Sequence, residues 1–191
     1  LEPEPGVRRL SLLRRDSAWG VASELAVDVG GSGLEPWLIG RGVDRFVRSL
    51  RAATAVIAPS TFTLDAAARL LGDRSKLRLI PHGTAMSAAS AGTHRTGPFL
   101  VLGDDRPRKN RQSVRTAHAL AAQRCPGLPG LRFVGPPDDY VTEDEKERLL
   151  RECCAVVQCS LFEGFGMPVL EALAHGAPVV CSDIAPFREI A

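Results

Sequence analysis

The sequence lacks an excess of charge of either sign. Its 191 residues include 24 Lys and Arg against 22 Asp and Glu, so the formal net charge is only +2. Proteins that bind nucleic acid or anionic membranes through charge carry a basic excess or a basic cluster. Arginine is frequent here but scattered, and we expect no nucleic-acid partner.

Long apolar runs are missing too. No run approaches the roughly 20 residues that a helix needs to cross a bilayer, so we expect no transmembrane segment. The sequence does not start with Met, and its first five residues, LEPEP, do not resemble a signal peptide. We therefore expect a processed or truncated start. The basic stretch 8–15 has two interpretations, the remainder of a targeting segment or a solvated surface stretch.

Cysteines are few and odd in number. No two of the five form a C-x-x-C pair, and all but the first lie in apolar stretches: Cys125, Cys153, Cys154, Cys159 and Cys181. This pattern favours free thiols over disulfides or a zinc site, and we expect no metal. We predict a reducing intracellular compartment, the cytoplasm. An organelle interior is the alternative if a targeting segment has been removed.

Short β-branched runs alternate with helical patterns along the chain. We predict strands at 55–58, 77–80, 99–103, 131–135, 155–159 and 178–181. We predict helices over 36–51, over 111–123 and over 167–174. A further helix is capped by Ser60 or Thr61 and stops at Gly72, and another over 142–152 begins with a capping box of Thr142 and Glu145. Strands that alternate with helices are typical of an α/β protein with a Rossmann-like parallel sheet. The first 30 residues show no clear pattern.

Residues 85–97 separate two lobes. They are rich in Ala, Ser, Gly and Thr and precede Pro98, a composition typical of a linker. We therefore divide the chain into a first lobe over 1–84, a linker over 85–97 and a second lobe over 98–191. In the first lobe, Gly30–Gly33 has the composition of a phosphate-binding loop, but no clear strand precedes it.

The segment richest in chemistry lies between the strand at 155–159 and the next helix. In open α/β sheets, ligands bind at the carboxyl ends of the strands. Gly164 and Gly166 have no side chains, so backbone N–H groups can approach a ligand closely. Pro168 suits a first helical turn. The free N–H groups of that turn favour an anion such as a diphosphate.

Two glutamates flank this turn, Glu163 in the loop and Glu171 about one turn into the helix. A carboxylate can accept hydrogen bonds from two vicinal hydroxyls, such as those of a sugar or a ribose. The alternative is that Glu171 only complements the positive end of the helix. From the residues alone, both interpretations stay open.

Residues 163–180, EGFGMPVLEALAHGAPVV, resemble the E-x7-E motif of retaining GT-B glycosyltransferases of the family 4 kind. The resemblance implies that Glu163 contacts the hydroxyls of a donor sugar and that Glu171 holds the ribose hydroxyls. It also implies that the amides of Gly164, Phe165 and Gly166 lie near the sugar and the diphosphate. The donor would be a nucleotide-diphosphate sugar, with neither a cofactor nor a metal.

Residues 103–110, GDDRPRKN, resemble the loop after the first strand of the same family's donor domain. In that family a lysine, usually helped by an arginine, neutralises the departing nucleotide diphosphate. Lys109 fits the position of the lysine, and Arg108 or Arg106 that of the helper. Such a cation stabilises the negative charge that grows in the transition state. The alternative is that these are ordinary solvated residues of a basic loop.

Residues 55–83 resemble the last β-α-β stretch of the family's acceptor domain. We therefore expect an incomplete GT-B architecture, the end of an N-terminal domain followed by a truncated C-terminal donor-binding domain. One function is the donor-binding part of a retaining hexosyltransferase, either as a fragment or as one chain of a two-chain enzyme in which a protein partner supplies the missing half. The other is a catalytically inactive glycosyltransferase-like subunit, a pseudoenzyme with a structural role in a larger assembly. We do not expect catalysis by this chain alone.

Overall fold

A computed structural model describes the backbone of residues 7–14 and 21–28, and the full residues 47–84, 95–137 and 139–191. Contacts divide the chain into two compact units. The first comprises Leu1–His82 with Glu163–Phe165, and the second comprises Gly83–Phe162 with Gly166–Ala191. Three predicted features lie wholly or mostly outside the described residues: Gly30–Gly33, the start of the helix 36–51 and the linker 85–97.

The first unit contains a four-stranded sheet in the order β1-β2-β3-β4. Its strands are β1 (Val7–Arg14), β2 (Val21–Asp28), β3 (Val56–Ala58) and β4 (Leu77–Leu79). Strands β1 and β2 form an antiparallel pair in which Val7 lies opposite Asp28, whereas β2, β3 and β4 run parallel. The antiparallel pair occupies the stretch without a clear sequence pattern, and the basic stretch 8–15 falls mostly within β1.

Helix α1 covers residues 47–52 of the described chain, and helix α2 (Thr61–Leu71) connects β3 to β4. The caps predicted for α2 are confirmed. Ser60 Oγ accepts a hydrogen bond from the Thr63 N–H at 3.0 Å, and Gly72, with φ of +71°, ends the helix. The two helices bury an apolar cluster against the strands: Leu50, Val56, Ala67 and Leu77.

The second unit alternates strands and helices throughout its described part. Its elements are β5 (Gly97–Leu102), α3 (Arg111–Arg124), β6 (Leu131–Val134), α4 (Glu143–Glu152), β7 (Cys153–Gln158), α5 (Met167–Ala174), β8 (Val179–Cys181) and α6 (Ala185–Ile190). The four strands are all parallel, in the order β6-β5-β7-β8. The predicted α/β class with a parallel sheet is therefore confirmed.

Apolar side chains of the sheet and its helices form the core of the second unit. Its most buried members come from β5, α4, β7 and α5: Leu100, Leu150, Cys153, Val156 and Ala172. Burying such side chains is the main favourable term in folding. The core leaves the carboxyl edge of the sheet to loops, which is the edge where ligands are expected.

Arg95 ties two helix ends together just before β5. One guanidinium nitrogen donates to the Leu150 carbonyl and another to the His175 carbonyl, each at 2.7 Å. Leu150 lies in the last turn of α4, and His175 directly follows α5. The last carbonyls of a helix have no intrahelical partners, so a cation that reaches both ends stabilises both helices.

All five cysteines are free thiols, as the odd count predicted. Cys153 is fully buried, and burial raises the pKa of its thiol. Cys125 is exposed, which differs from the other four. Across the ranges that the structure describes, no helix is long and apolar enough to cross a membrane.

Candidate functional site

Two loops meet at the carboxyl edge of the second sheet because β5 and β7 are neighbours in it. The basic loop follows β5, and the loop that leads to Glu163 follows β7. The Leu161 N–H donates to the Arg108 carbonyl at 2.8 Å. The Arg108 guanidinium in turn donates to the Phe162 carbonyl at 3.4 Å. The fold thus brings together two segments that lie more than 50 residues apart in the sequence.

Two helices begin at this edge without a side-chain cap. Helix α3 starts after Asn110, whose φ is +52°, and α5 starts after Gly166, whose φ is +115°. Neither residue makes a side-chain capping bond to its helix. Because the first N–H groups of a helix lack intrahelical partners and carry partial positive charge, both helix starts favour a bound anion.

Lys109 is the buried cation of the basic loop. It ends the 3-10 turn Pro107–Lys109 and is only 7% exposed. A Cβ atom placed on Gly103 would lie 3.2 Å from Lys109 Cε and 3.4 Å from Nζ. The missing side chain at Gly103 therefore makes room for the lysine, whose ammonium lies beside the end of β5.

Arg106 pairs with Asp104 of the same loop. Its Nε donates to Asp104 Oδ2 at 2.8 Å, a second guanidinium nitrogen contacts the same oxygen, and the Arg106 N–H donates to Oδ1 at 3.2 Å. The side-chain hydrogen bond from Arg106 lowers the pKa of Asp104 to about 2, from an ordinary 3.8. Each residue therefore balances the charge of the other, and Arg106 carries little uncompensated charge.

The depressed pKa makes the stability of this loop depend on pH. Because the folded pKa of Asp104 lies below the unfolded value, its stabilising effect is complete above about pH 4 and is lost as pH falls to about 2. Asp104→Asn should lower the free energy of unfolding at pH 7 by about 1 kcal/mol. The full shift corresponds to roughly 2.4 kcal/mol, but Arg106 is 49% exposed and water screens the pair. Urea unfolding of both proteins at pH 7, 4 and 3 measures the difference.

The control for that measurement is Asp105→Asn, the exposed neighbour outside the pair. We expect the Asp104→Asn difference to shrink as the pH falls below 4, while the Asp105→Asn difference stays small throughout. A difference for Asp104→Asn that is equal at pH 7 and pH 3 would contradict the ion pair.

Glu171 lies on α5 and pairs with a residue that the sequence analysis missed. Lys146 Nζ, on α4, donates to Glu171 Oε1 at 3.2 Å and lies 2.7 Å from Glu143 Oε2. Burial lowers the pKa of Lys146, but its hydrogen bonds to Glu143 and Glu171 outweigh burial and raise that pKa. The carboxylate of Glu171 is thus held by a charged ammonium, with 18% of its side chain exposed.

Glu163, Gly164 and Phe165 group with the first unit. Glu163 is 7% exposed. Within that unit the Gly164 carbonyl accepts hydrogen bonds from Ser60 Oγ at 2.5 Å and from Thr63 Oγ1 at 2.8 Å. The ring of Phe165 meets His82 edge-on, with centroids 5.2 Å apart. Gly164 and Phe165 are therefore fixed by backbone and ring contacts, whereas Gly166 packs in the second unit, against Phe187 of α6.

Comparisons with known proteins show the family of the chain. The sequence profile of the family described as glycosyl transferases group 1 matches residues 84–191. O-antigen chain mannosyltransferase B of Escherichia coli is 37% identical over 60 residues, which cover 31% of this chain and 15% of that protein. O-antigen chain mannosyltransferase RfbU of Salmonella typhimurium is 27% identical over 136 residues, which cover 62% of this chain and 38% of that protein.

A solved structure shows the same fold. The pneumococcal O-GlcNAc transferase GtfA, solved in complex with UDP and GlcNAc, superimposes with a TM-score of 0.61 at 16% identity. The superposition covers 76% of this chain and 33% of that one, so the chain spans less than two fifths of each of these three proteins. The predicted GT-B, Rossmann-like fold is confirmed. Since the family profile covers more than half of the chain, including the Lys109 loop and the Glu163–Glu171 motif, the chain belongs to the glycosyl transferases group 1.

Proposed function

We propose that this chain binds a nucleotide-diphosphate sugar and forms the donor-binding part of a glycosyltransferase that retains the configuration of the sugar. The observation that carries the proposal is that two uncapped helix starts and the buried Lys109 lie at one edge of a parallel sheet. Two curated relatives are O-antigen mannosyltransferases, so a hexose is the sugar class that we propose.

The second unit offers three sources of positive potential to a diphosphate. The starts of α3 and α5 supply N–H groups and the positive ends of two helix dipoles. Lys109 supplies a cation that is buried. A buried charge interacts more strongly with a ligand than an exposed charge does, because water screens it less. As the bond to the sugar breaks, negative charge grows on the leaving phosphate, and a fixed cation stabilises that charge.

The two glutamates would bind the neutral parts of the donor. Glu171 lies in α5, whose start would face the diphosphate, so its carboxylate would accept hydrogen bonds from the ribose hydroxyls. Glu163 keeps the role that the family resemblance implies, a contact to hydroxyls of the transferred sugar, with the amides of Gly164, Phe165 and Gly166 beside it. Arg108 is the helper cation that we propose, since its guanidinium reaches the Phe162 carbonyl in the loop that leads to Glu163.

Thermal unfolding with nucleotides tests the proposal. A ligand that binds only the folded state adds RT ln(1 + [L]/Kd) of stability, about 2.7 kcal/mol when the ligand is at 100 times its Kd. We expect one of UDP, GDP and ADP, each at millimolar concentration, to raise the melting temperature of the chain. The rise should be roughly 5–10 °C at that saturation. It should be lost in Glu171→Ala.

The matched control is Glu152→Ala, which removes an exposed glutamate that pairs with Arg148 on α4. That variant should keep the nucleotide-dependent rise. If none of the three nucleotides raises the melting temperature of the unsubstituted chain, donor binding is contradicted. The interpretation as a non-catalytic subunit is then favoured.

A further inference from the structure

Lys146 links helix α4 to helix α5 through an ion pair. Its ammonium bridges Glu143 on its own helix, α4, and Glu171 on α5, 25 residues later. The side chains of Lys146 and Glu171 are only 22% and 18% exposed, whereas Glu143 is 83% exposed. The other ion pairs within α4 link residues of that helix on its exposed side, such as Arg148 with Glu152. The bridge to Glu171 is therefore a partly buried contact of the site.

The bridge leaves the carboxylate of Glu171 able to bind a ligand. Each carboxylate oxygen has two acceptor positions. Lys146 occupies one position on Oε1, so Oε1 keeps one position and Oε2 keeps two. A glutamate that is already held in place also loses less rotational freedom when a ligand binds. The ammonium thus fixes the acceptor without blocking it.

We propose that Lys146 is a positioning residue of the nucleotide site, one that holds the carboxylate of Glu171 in the orientation that accepts the vicinal hydroxyls of a ribose. The inference rests on the proposed function, because it assigns the ribose to Glu171. Lys146 is thereby a determinant of selectivity for ribonucleotides over 2′-deoxyribonucleotides. Its charge also offsets that of Glu171, which would otherwise repel a diphosphate bound at the start of α5.

The test compares each ribonucleotide with its 2′-deoxy counterpart. The affinities of UDP, GDP and ADP and of dUDP, dGDP and dADP are measured for the 191-residue chain by calorimetry. A hydrogen bond to a charged group corresponds to about ten-fold in affinity or more, so we expect the unsubstituted chain to prefer the bound ribonucleotide by about ten-fold. In Lys146→Met and Lys146→Gln, we expect that preference to fall to about two-fold or less.

Three further variants separate positioning from a general loss of stability. Lys146→Arg keeps a cation and should retain most of the ribose preference. Glu143→Gln removes the exposed partner of Lys146 and leaves the bridge to Glu171, so the preference should be unchanged. Arg148→Met removes a cation of the same helix that faces Glu145 and Glu152, and should also leave it unchanged.

The outcomes distinguish this inference from the function on which it rests. If the unsubstituted chain binds a ribonucleotide and the two Lys146 variants keep its preference over the 2′-deoxy form, the positioning role is overturned while donor binding stands. If both forms bind the variants more weakly by the same factor, Lys146 acts through charge alone and the positioning role is again overturned. If the unsubstituted chain binds none of the six nucleotides, the proposed function fails, and the positioning role fails with it.

Discussion

Gly166→Ala is expected to lower the free energy of unfolding of the second unit by about 2–5 kcal/mol. Two costs combine at this position. Its φ of +115° lies in a region that residues with a side chain rarely adopt, and a Cβ would lie 2.6 Å from Cε1 of Phe187. Phe187 is only 1% exposed, so its ring has little room to retreat. Urea unfolding followed by far-UV circular dichroism measures the loss.

Two other glycines of the second unit separate these costs. Gly127 has φ of +85° and open space around its missing side chain, so Gly127→Ala carries only the backbone cost, about 1 kcal/mol. Gly130 has open space and no φ in the left-handed region, so Gly130→Ala should change stability by less than about 1 kcal/mol. If Gly166→Ala lowers the free energy of unfolding no more than Gly127→Ala does, the close contact of Phe187 with Gly166 is contradicted.

Lys109→Met is expected to weaken the binding of a nucleoside diphosphate by about 10–100-fold. Hydrogen bonds to charged groups contribute about 1.5–3 kcal/mol, and about 1.4 kcal/mol is ten-fold in affinity. Methionine keeps the length and the apolar stem that pack over Gly103, so the fold should persist. The measurement is the Kd of the nucleotide that stabilises the chain, by calorimetry, with the corresponding nucleoside as the second ligand.

The phosphate-free nucleoside and a second cation provide the controls. Affinity for the nucleoside should change by less than about two-fold in Lys109→Met, because the lost contact is to phosphate. Arg106→Met should weaken the binding of the diphosphate by less than about three-fold, since Arg106 is half exposed and balanced by Asp104. Equal losses for nucleoside and diphosphate in Lys109→Met would show damage to the fold instead of a phosphate contact.

Several helices of both units could be predicted because local signals determine them. The caps of α2 and the Thr142 cap of α4 lie at the predicted residues, with Thr142 Oγ1 accepting from the Glu145 N–H at 3.2 Å. The carboxylate of Glu145, predicted to complete a capping box, pairs with Arg148 and Arg132 instead. A short-range hydrogen bond can be read from spacing. The choice among several charged partners cannot, because it depends on which side chains the fold brings near.

The prediction errs at strand ends that a distant partner determines and at elements whose sequences carry no strong local signal. Strand β5 begins at Gly97, within the predicted linker, and β7 begins at Cys153, two residues early. Both extensions pair with each other, Gly97 opposite Cys153, so a long-range partner determines them. The antiparallel pair β1–β2 and the short helix α6 were missed because their sequences carry no strong periodicity or cap.

The candidate site also contains parts that sequence motifs reveal and a part that only the fold reveals. The Lys109 loop and the start of α5 were located from motifs, and the structure places both at one sheet edge. The functional roles assigned to Lys109, Glu163 and Glu171 stay predictions. Lys146 could not have been found, because the stretch EDEKERLL reads as an ordinary charged helix. Only the three-dimensional structure shows which of its cations reaches Glu171.

The two bonds of Arg95 determine where the chain can be cut. A fragment trimmed to start at Pro98, the first residue after the predicted linker, would lose the cation that holds the carbonyls of Leu150 and His175. A fragment that starts at Arg95 would keep it, at the expense of three more residues. The helix ends that Arg95 joins belong to α4 and α5, which carry Lys146 and Glu171. A fragment of the second unit should therefore begin at or before Arg95 and not at the end of the predicted linker.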